Sequence, residues 1–388
     1  MTSTALPILR ALDPSLLTPM VRTATRRPDL TVQEFAVEVL SDKGITNPDG
    51  LFLFTGGTPG PAVDSTWSVA LKILTRPDQE QAADSVFYWQ REALAFHSGL
   101  LAGFSADLVI PEHYAVWDRG TQIWIWMEHV QETVAPEWDL PQYAQAAHQL
   151  GRFNGRYLTD TPLPTFPWLT TDLARQWTMI FNTELAWEHP AVCRFFSPLR
   201  PRITALWEER DRFCRVLNGL PQVFSHFDFQ RRNLLIRDDE VIVLDWALCG
   251  IGPVGGDLYA LVGATCMVRE WDAARLRELE QTVFPAYLAG IGETGGIVDP
   301  QQVRLAYTAW MAMYGLSALV IAQYTFLEAE QGFIRTGMRE SPEELAASWA
   351  ELCRYCLDLA DEARTLMGQA ASSGNVNSVS TARHPQPS

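Results

Sequence analysis

Four polar side chains of types that bind metal ions or exchange protons lie close together in one stretch of the chain. The stretch VFSHFDFQRRNLLIRDDEVIVLDW contains His226, Asp228, Asn233 and Asp245. Two carboxylates and an amide that converge at a strand end suit a hard cation such as Mg²⁺, which prefers oxygen ligands. The alternative is that the Asp and Asn residues only form turns, as they often do at strand ends.

The charged cluster Arg237–Glu240 lies between two apolar runs rich in branched side chains, and this pattern predicts a β-hairpin. A three-residue turn at Asp238–Glu240 puts Asn233 opposite Asp245, and directly opposed residues share one face with Cβ atoms about 5 Å apart. A two-residue turn shifts the register by one residue and sends these side chains to opposite faces. The three-residue turn is the one that predicts a shared metal ion.

A lysine interrupts the buried strand predicted at Ser68–Leu74. Only Lys43 and Lys72 among the 30 basic residues are lysines. Burial of a lone ammonium group is costly, so Lys72 needs a partner. Glu92, on the amphipathic helical stretch that follows, is the candidate partner. The alternatives are that Lys72 extends to solvent at a strand edge and that Glu92 pairs with Arg91 on an exposed helix face.

The N-terminal stretch shows helical spacing of its apolar residues, and Thr31 with Glu34 resembles a capping box, so we expect a helical lead-in. A short strand predicted at Leu51–Phe54 runs into a glycine-rich turn. Gly56 and Gly57 in that turn could present backbone N–H groups to phosphate. A lone glycine-rich turn is more often only a turn.

The rest of the chain is predicted to be mostly helical. Further strands are expected at Leu108–Pro111 and Thr121–Val130, and helical spacing dominates from Asp139 onward except around the stretch described first. The uncharged run Leu305–Leu327 is long enough to cross a bilayer of about 30 Å. Its threonines, tyrosines and Gln323 favour a buried helix instead, because polar groups are costly in lipid.

The composition of the chain argues against several partners and compartments. The formal net charge of −16 argues against nucleic acid as the main partner, since phosphate binding needs a basic face. No segment has the pattern of a secretory signal, and we expect a cytoplasmic protein with no membrane partner. The six cysteines are scattered and imply no disulfide framework. Cys353 and Cys356 lie in a helical pattern that favours buried thiols over a zinc site.

The order of these parts resembles a known fold. In sequence come a glycine turn, a strand lysine, a helix glutamate, a hinge-like strand, the motif H-x-D-x-x-x-x-N and an apolar strand that ends in Asp. This order resembles the protein-kinase-like fold and, within it, the aminoglycoside phosphotransferase and choline kinase group. The resemblance covers residues 51–261 and implies an α+β, two-lobe fold with a small β-rich N-lobe and a larger helical C-lobe. The expected divisions are a helical N-terminal extension (1–48), a nucleotide-binding N-lobe (49–130), a catalytic and substrate C-lobe (131–367) and a disordered tail (368–388).

The resemblance also implies an activity. It implies an ATP- and Mg²⁺-dependent kinase that transfers the γ-phosphate to a hydroxyl of a small polar metabolite or antibiotic-like acceptor. Asp228 would be the catalytic base, in one catalytic motif with His226. Asn233 and Asp245 would hold Mg²⁺. Asp257 is similar to the acid that braces the catalytic loop from the following helix, which we also expect it to cap.

The nucleotide side of the site is implied in the same way. Lys72 would contact the phosphates and be held by Glu92. Backbone groups of Glu128 and Val130 would border the adenine. The glycine turn at Gly56 and Gly57 would lie near the phosphates, and its connection to Lys72 is shorter than is usual for this fold.

Two features separate the possible functions. Asp257 follows Asp245 by only 12 positions, and this segment is too short for long peptide docking, which disfavours a protein kinase. A catalytically silent nucleotide-binding module of the same fold is the alternative function. For the acceptor, the net charge favours a cationic or neutral molecule, and so do five acids expected near the cleft, unless they form only a solvated helix face. These acids are Glu328, Glu330, Glu340, Glu343 and Glu344.

Overall fold

The computed structural model describes residues 5–41, 50–57, 66–103, 107–159, 161–180, 187–188, 190–327 and 340–372. These residues form two lobes, as expected from the sequence. The smaller N-lobe is built on an antiparallel sheet, and the larger C-lobe is built mostly of helices.

The sheet of the N-lobe contains β1 (Ala36–Ser41), β2 (Leu51–Gly57), β3 (Thr66–Thr75), β4 (His113–Asp118) and β5 (Gln122–Glu128). Their order is β1-β2-β3-β5-β4, and neighbouring strands are antiparallel. Because side chains alternate along a strand, Val69 and Leu71 of β3 face away from the C-lobe, whereas Ala70 and Lys72 face the opposite side. Lys72 is therefore positioned on the face of the sheet that meets the C-lobe.

Strand β1 shows that the helix expected for the end of the N-terminal stretch is wrong. Residues 31–35, which include Thr31 and Glu34, have no regular structure, so no capping box forms there. Val37 and Val39 pair with β2, and β-branched side chains fit a pleated strand well. The helical spacing was misleading because pairing with a neighbouring strand decides the local structure.

The N-terminal helices form the outer layer of the N-lobe. Helices α1 (Leu6–Arg10) and α2 (Thr18–Thr25) bury Leu9, Met20 and Val21 against the outward face of the sheet. The boundary expected between residues 48 and 49 therefore divides one structural unit, because β1 belongs to the same sheet as β2–β5.

The two glycines expected in a turn are instead the last residues of β2. Gly56 lies opposite Trp67 in β3 and Gly57 lies opposite Thr66. A Cβ atom on Gly56 would lie 2.5 Å from the Trp67 ring, so the close approach of that ring accounts for this glycine. The prediction of a glycine-rich turn at these two residues is wrong.

The register of the sheet also separates these glycines from Lys72. Lys72 lies opposite Leu51, and Gly56 is five positions further along β2, which is about 16 Å. The connection that enters β2 beside Lys72 is the one from β1. Its residues 42–49 lie outside the part of the chain that the structure describes.

A short helix and eight others complete the described architecture. Helix α3 (Arg91–His97) follows β3 and buries Glu92 and Phe96. The C-lobe contains α4 (Leu140–Gly155), α5 (Leu173–Ile180), α6 (Pro190–Phe196), α7 (Arg200–Gly219), α8 (Thr265–Met267), α9 (Leu276–Glu293), α10 (Pro300–Leu327) and α11 (Pro342–Ser372). Helices α4 and α9 approach closely because glycines stand at their contact: a Cβ atom on Gly151 would lie 2.1 Å from the Tyr287 carbonyl oxygen.

The uncharged run Leu305–Leu327 belongs to α10, and most of its residues as far as Leu316 are buried in the C-lobe core. No helix in the described residues is long and apolar enough to cross a membrane. Cys353 and Cys356 are buried thiols in α11, as expected. Because α11 continues to Ser372, the tail prediction is wrong for residues 368–372, and residues 373–388 lie outside the described part.

Short strands carry the central stretch of the chain. They are β6 (Thr170–Thr171), β7 (Gln222–Ser225), β8 (Leu234–Arg237), β9 (Glu240–Val243) and β10 (Gly250–Pro253). Strand β10 lies between β6 and β7, and β8 pairs with β9 as a hairpin. The strand expected at Leu108–Pro111 is wrong, since only a single bridge from Val109 to Ile242 forms there.

Candidate active site

The hairpin that follows Asn233 is present, but its register differs from the prediction. A two-residue turn joins β8 to β9, so Arg237 pairs with Glu240. Asn233 is level with Leu244, whose N–H donates to the Asn233 carbonyl at 2.8 Å. The predicted opposition of Asn233 and Asp245 is therefore wrong. The physical reason is that the length of the turn sets the register, and the charged cluster fits a turn of either length.

Asp245 reaches the site through a change in backbone direction. Its φ of 59° lies in the left-handed region, which Asp adopts more readily than most residues because its short side chain bonds locally. Its carboxylate accepts the Ala247 N–H, and the chain continues into a 3₁₀ turn at Trp246–Leu248. The carboxylate thereby lies beside Lys72 without strand pairing.

Lys72 is a buried cation held between two carboxylates. It is 7% exposed, and its Nζ lies 2.6 Å from Glu92 Oε2 and 2.9 Å from Asp245 Oδ1. The predicted contact between Lys72 and Glu92 is confirmed, and the strand-edge alternative is wrong. Burial acts to lower the pKa of Lys72, but Asp245 and Glu92 together raise it above its ordinary value. The lysine is therefore charged.

The two carboxylates share this one cation unequally. Burial raises the pKa of Glu92 in spite of the neighbouring Lys72. Burial acts in the same direction on Asp245, but there Lys72 outweighs it and the pKa is lowered. Asp245 is also 32% exposed, against 2% for Glu92. Asp245 is therefore the carboxylate that can offer a charged oxygen to a ligand.

Asp228 is held by two side-chain amides. The Gln230 Nε2 group donates to Asp228 Oδ1 at 2.7 Å, and the Asn233 Nδ2 group donates to Oδ2 at 2.7 Å. Asn233 Nδ2 also lies 2.9 Å from the Asp228 carbonyl oxygen. The orientation of the Asp228 carboxylate is therefore fixed on both sides.

The same surroundings set the proton affinity of Asp228. Burial, followed by the charge of Asp245, raises the pKa of Asp228 to about 7, while the Asn233 and Gln230 amides act to lower it. A carboxylate that titrates near neutral pH can accept a proton from a substrate at the pH at which proteins work. This is the chemistry that the resemblance implies for Asp228.

His226 braces the loop that carries Asp228. Burial lowers the pKa of His226 to about 4, so the imidazole is neutral. The Asp228 N–H donates to its Nδ1 at 3.2 Å, so Nε2 carries the proton and donates to the Leu244 carbonyl at 3.0 Å. Backbone groups engage both ring nitrogens, and the geometry therefore favours a positioning role over proton transfer.

Asp257 supports the same loop from the other side. Its carboxylate accepts the His226 N–H at 3.1 Å and the Phe227 N–H at 2.7 Å. Phe227 has a φ of 62°, an uncommon conformation for a bulky residue that persists only with support. The bracing contacts implied by the resemblance are present. The side-chain cap expected for the following helix is wrong, because the carboxylate turns to the loop.

The oxygens left over by these contacts are of the type that a hard cation binds. Asn233 uses its amide nitrogen on Asp228, which leaves Oδ1, and Asp245 uses Oδ1 on Lys72, which leaves Oδ2. One amide oxygen and one carboxylate oxygen are a ligand set that Mg²⁺ takes when phosphate oxygens and water complete its shell. Within the described residues, no three His, Cys, Asp or Glu side chains are grouped to hold a metal. The described residues thus offer only part of a coordination shell.

The segment after β5 contains the residues expected beside a nucleotide base. The Glu128 N–H donates to the Glu112 carbonyl at 2.8 Å, so it is already used, and the Glu128 carboxylate pairs with Arg237. Val130 follows in an irregular segment. Contact of the Glu128 carbonyl and the Val130 backbone with a base stays a prediction.

The acids expected near the acceptor serve local structure where the structure describes them. Glu340 pairs with Arg269 at 3.2 Å and Glu343 pairs with Arg194 at 3.0 Å. Glu344 exchanges hydrogen bonds with the residue before α11. These contacts favour the helix-face interpretation. Outside the described residues lie Glu328 and Glu330.

Two residues of the site are missing from the sequence prediction. Gln230 occupies a variable position of the H-x-D-x-x-x-x-N motif, and Arg91 was assigned only to an exposed helix face. Arg91 is in fact fully buried. Its position next to Glu92 in an apolar stretch is a signal for burial. Because almost all basic residues of the chain are arginines, however, the residue type gives no sign that Arg91 is special.

Comparisons with known proteins identify a family and structures similar to this one. A family model described as the phosphotransferase enzyme family, APH, matches residues 67–296. A choline kinase from Cryptosporidium parvum Iowa II has a similar structure, with a TM-score of 0.52, 14% identity and coverage of 94% of this chain and 99% of that chain. A choline/ethanolamine kinase family protein from Mesorhizobium loti has a TM-score of 0.48 and 17% identity, and the match covers 86% of this chain and 91% of that chain. No curated protein matches in sequence.

The likeness to the choline kinase supports the protein-kinase-like, two-lobe fold and nothing beyond the fold, because the identity is low. The family model matches more than half of the chain, from the start of β3 to the end of α9. That span includes the cluster of Lys72, Glu92 and Asp245 (the Lys72 cluster) and the whole loop around Asp228. On this match, the chain belongs to the phosphotransferase enzyme family.

Proposed function

We propose that the protein is an ATP-dependent small-molecule kinase that transfers the γ-phosphate of ATP to a hydroxyl of a polar metabolite or antibiotic-like acceptor. The observation that carries the proposal is the buried Lys72, which lies between Glu92 and Asp245 close to Asp228. Phosphoryl transfer depends mainly on positioning and on neutralising charge. The arrangement combines a fixed cation for phosphate with a carboxylate that titrates near pH 7.

In this proposal Asp228 accepts the proton of the acceptor hydroxyl. Its two oxygens are oriented by Gln230 and Asn233, so the acceptor meets a carboxylate with a fixed direction. The hydrogen bonds from the loop backbone to Asp257 fix the loop, and with it this direction, relative to the rest of the C-lobe. Such fixed placement is a large part of the rate gain in a transfer reaction.

Lys72 binds the phosphates of the nucleotide. An ammonium group has three N–H donors, and Glu92 and Asp245 take two of them. The third donor and the positive charge remain for a phosphate oxygen. Asn233 and Asp245 would hold Mg²⁺, and the ion, when bound, would neutralise negative charge on the phosphates.

The segment after Asp245 supports a small acceptor rather than a protein. Between Asp245 and Asp257 the chain forms a 3₁₀ turn and then β10, which pairs with β7. Because most of this segment forms the turn and pairs with β7, it does not form a long loop on which a peptide could dock. For the chemistry of the acceptor, the net charge of −16 supports a cationic or neutral molecule.

The test combines binding and turnover. Thermal unfolding with and without Mg²⁺ and ATP should show a higher Tm with both present. Release of ADP should then depend on adding a hydroxyl compound from a panel of cationic, neutral and anionic molecules, measured at low and high salt. Absence of both effects would contradict the proposed function. Preference for carboxylated or phosphorylated acceptors would contradict only the proposed class of acceptor.

A further inference from the structure

Arg91 is a buried cation that forms no ion pair with a carboxylate in the described residues, although the more distant charge of Asp84 acts on it. It is 0% exposed, and burial lowers the pKa of Arg91 to about 10. A guanidinium group has five N–H donors, and backbone carbonyls meet this number. The contacts are Nε to Trp168 at 2.7 Å, Nη1 to Val86 at 2.9 Å and to Ala247 at 2.8 Å, and Nη2 to Ala83 at 3.3 Å and to Ser85.

These carbonyls belong to three separate segments. Residues 83–86 precede α3, and Trp168 lies in the C-lobe just before β6. Ala247 lies two residues after Asp245, in the 3₁₀ turn that follows it. One side chain therefore ties the approach to α3 both to the C-lobe and to the turn that positions Asp245.

Arg91 is also the direct neighbour of Glu92 in α3. Consecutive residues of a helix point about 100° apart, and here Glu92 contacts Lys72 in the N-lobe whereas Arg91 contacts the C-lobe. Gln176 of α5 adds a second tie to the same segment. Its Oε1 accepts the Val86 N–H at 2.7 Å, and its Nε2 donates to the Asp84 carbonyl at 3.0 Å.

We propose that Arg91 is a positioning residue that fixes α3 relative to Asp245 and so keeps the cluster of Lys72, Glu92 and Asp245 assembled. The inference rests on the proposed function, in which this cluster receives the phosphates. Lysine cannot replace Arg91, because it has only three donors and loses its proton more readily when buried.

The test compares Arg91→Lys and Arg91→Ala with the wild-type protein. Hydrogen exchange of the α3 amides should be faster in both variants. The affinity for Mg²⁺–ADP, measured by calorimetry, should fall about 10–100-fold, the range seen when residues that support a metal ligand are removed. In Arg91→Ala, millimolar guanidinium should restore part of this affinity, because it can refill the space and meet the same carbonyls. The same additive should not help Arg91→Lys.

Arg304 provides a matched control. Its guanidinium bridges Glu280 and Glu362 among the C-terminal helices, so Arg304→Lys should reduce stability without changing α3 exchange or Mg²⁺–ADP affinity. Unchanged α3 exchange and affinity in a folded Arg91→Lys would overturn the inference. So would failure of both Arg91 variants to fold, since Arg91 would then be a general structural residue. Failure of the wild-type protein to bind Mg²⁺–ADP would instead count against the proposed function.

Discussion

The catalytic loop and the Lys72 cluster hold their polar groups in opposite ways. In the loop, the neutral amides of Gln230 and Asn233 surround Asp228. In the cluster, charge is set against charge, with Lys72 between two carboxylates. Neutral hydrogen bonds fix orientation and leave the pKa of Asp228 near 7, whereas the charge pairing in the cluster raises the pKa of Lys72 and lowers that of Asp245. In the proposed function, the loop would govern proton transfer and the cluster would govern where phosphate charge binds.

Removal of Lys72 should have the largest effect on binding and stability. Lys72→Ala leaves Glu92 and Asp245 without their shared cation, and breaking a buried ion pair on one side typically costs about 3–5 kcal/mol. Lys72→Arg should not restore Mg²⁺–ATP binding, because the planar guanidinium differs in reach from a compact ammonium. Calorimetry with Mg²⁺–ATP and urea unfolding measure the two effects.

The control for Lys72 is Arg354→Ala, which removes an exposed ion pair with Glu351. Exposed pairs contribute about 0–1 kcal/mol, so this variant should bind Mg²⁺–ATP normally. Normal binding and turnover in Lys72→Arg would make Lys72 a structural residue. The proposed division, in which the Lys72 cluster binds phosphate and the Asp228 loop transfers the proton, would then be contradicted.

Asp257→Asn should have a smaller effect, confined to the loop. The amide can accept only one of the two N–H groups from His226 and Phe227, and a buried donor left unpaired costs about 1–3 kcal/mol. We expect lower stability in urea unfolding and a lower kcat, with nearly unchanged Mg²⁺–ATP affinity. Asp299→Asn, at the surface before α10, is the control for the loss of a carboxylate. A fall in Mg²⁺–ATP affinity as large as that in Lys72→Ala would contradict the division.

The smallest expected effect is a shift in pH dependence. Only ionised Asp228 accepts a proton, and its pKa is raised to about 7, so kcat/KM should rise with pH and level off above a midpoint near 7. Gln230→Leu removes a donor that lowers this pKa, and the midpoint should therefore move to higher pH. Gln145→Leu, whose amide contacts the Asp239 carbonyl at the surface, should leave the profile unchanged. A profile that is flat between pH 5 and 9 would exclude Asp228 as the titrating base.

The sequence was sufficient for residues whose chemistry conflicts with their local surroundings. Lys72 is a charged residue inside an apolar strand, and this conflict predicted both its burial and its carboxylate partner. Asp228 and Asn233 lie five residues apart, so their meeting in one loop depends little on distant packing. Such local signals explain why the buried Lys72–Glu92 pair could be predicted.

The errors arose where distant contacts decide the structure. Val37 and Val39 belong to a strand only because β2 lies beside them, so the spacing of apolar residues along the chain did not identify β1. The hairpin register depended on one residue of turn length, which the charged cluster does not specify. Arg91 could not be identified because its five partners are backbone carbonyls, which any sequence provides.

The most direct test of the central claim is the comparison of Asp228→Asn with the wild-type protein in binding and turnover. The variant should bind Mg²⁺–ATP with nearly unchanged affinity, because the Lys72 cluster is intact. Its acceptor-dependent release of ADP should fall by about 10²–10⁴-fold, the usual contribution of a positioned base. Full turnover in the variant would contradict the role of Asp228. Turnover absent from the wild-type protein with every acceptor, together with normal Mg²⁺–ATP binding, would identify a silent nucleotide-binding module instead.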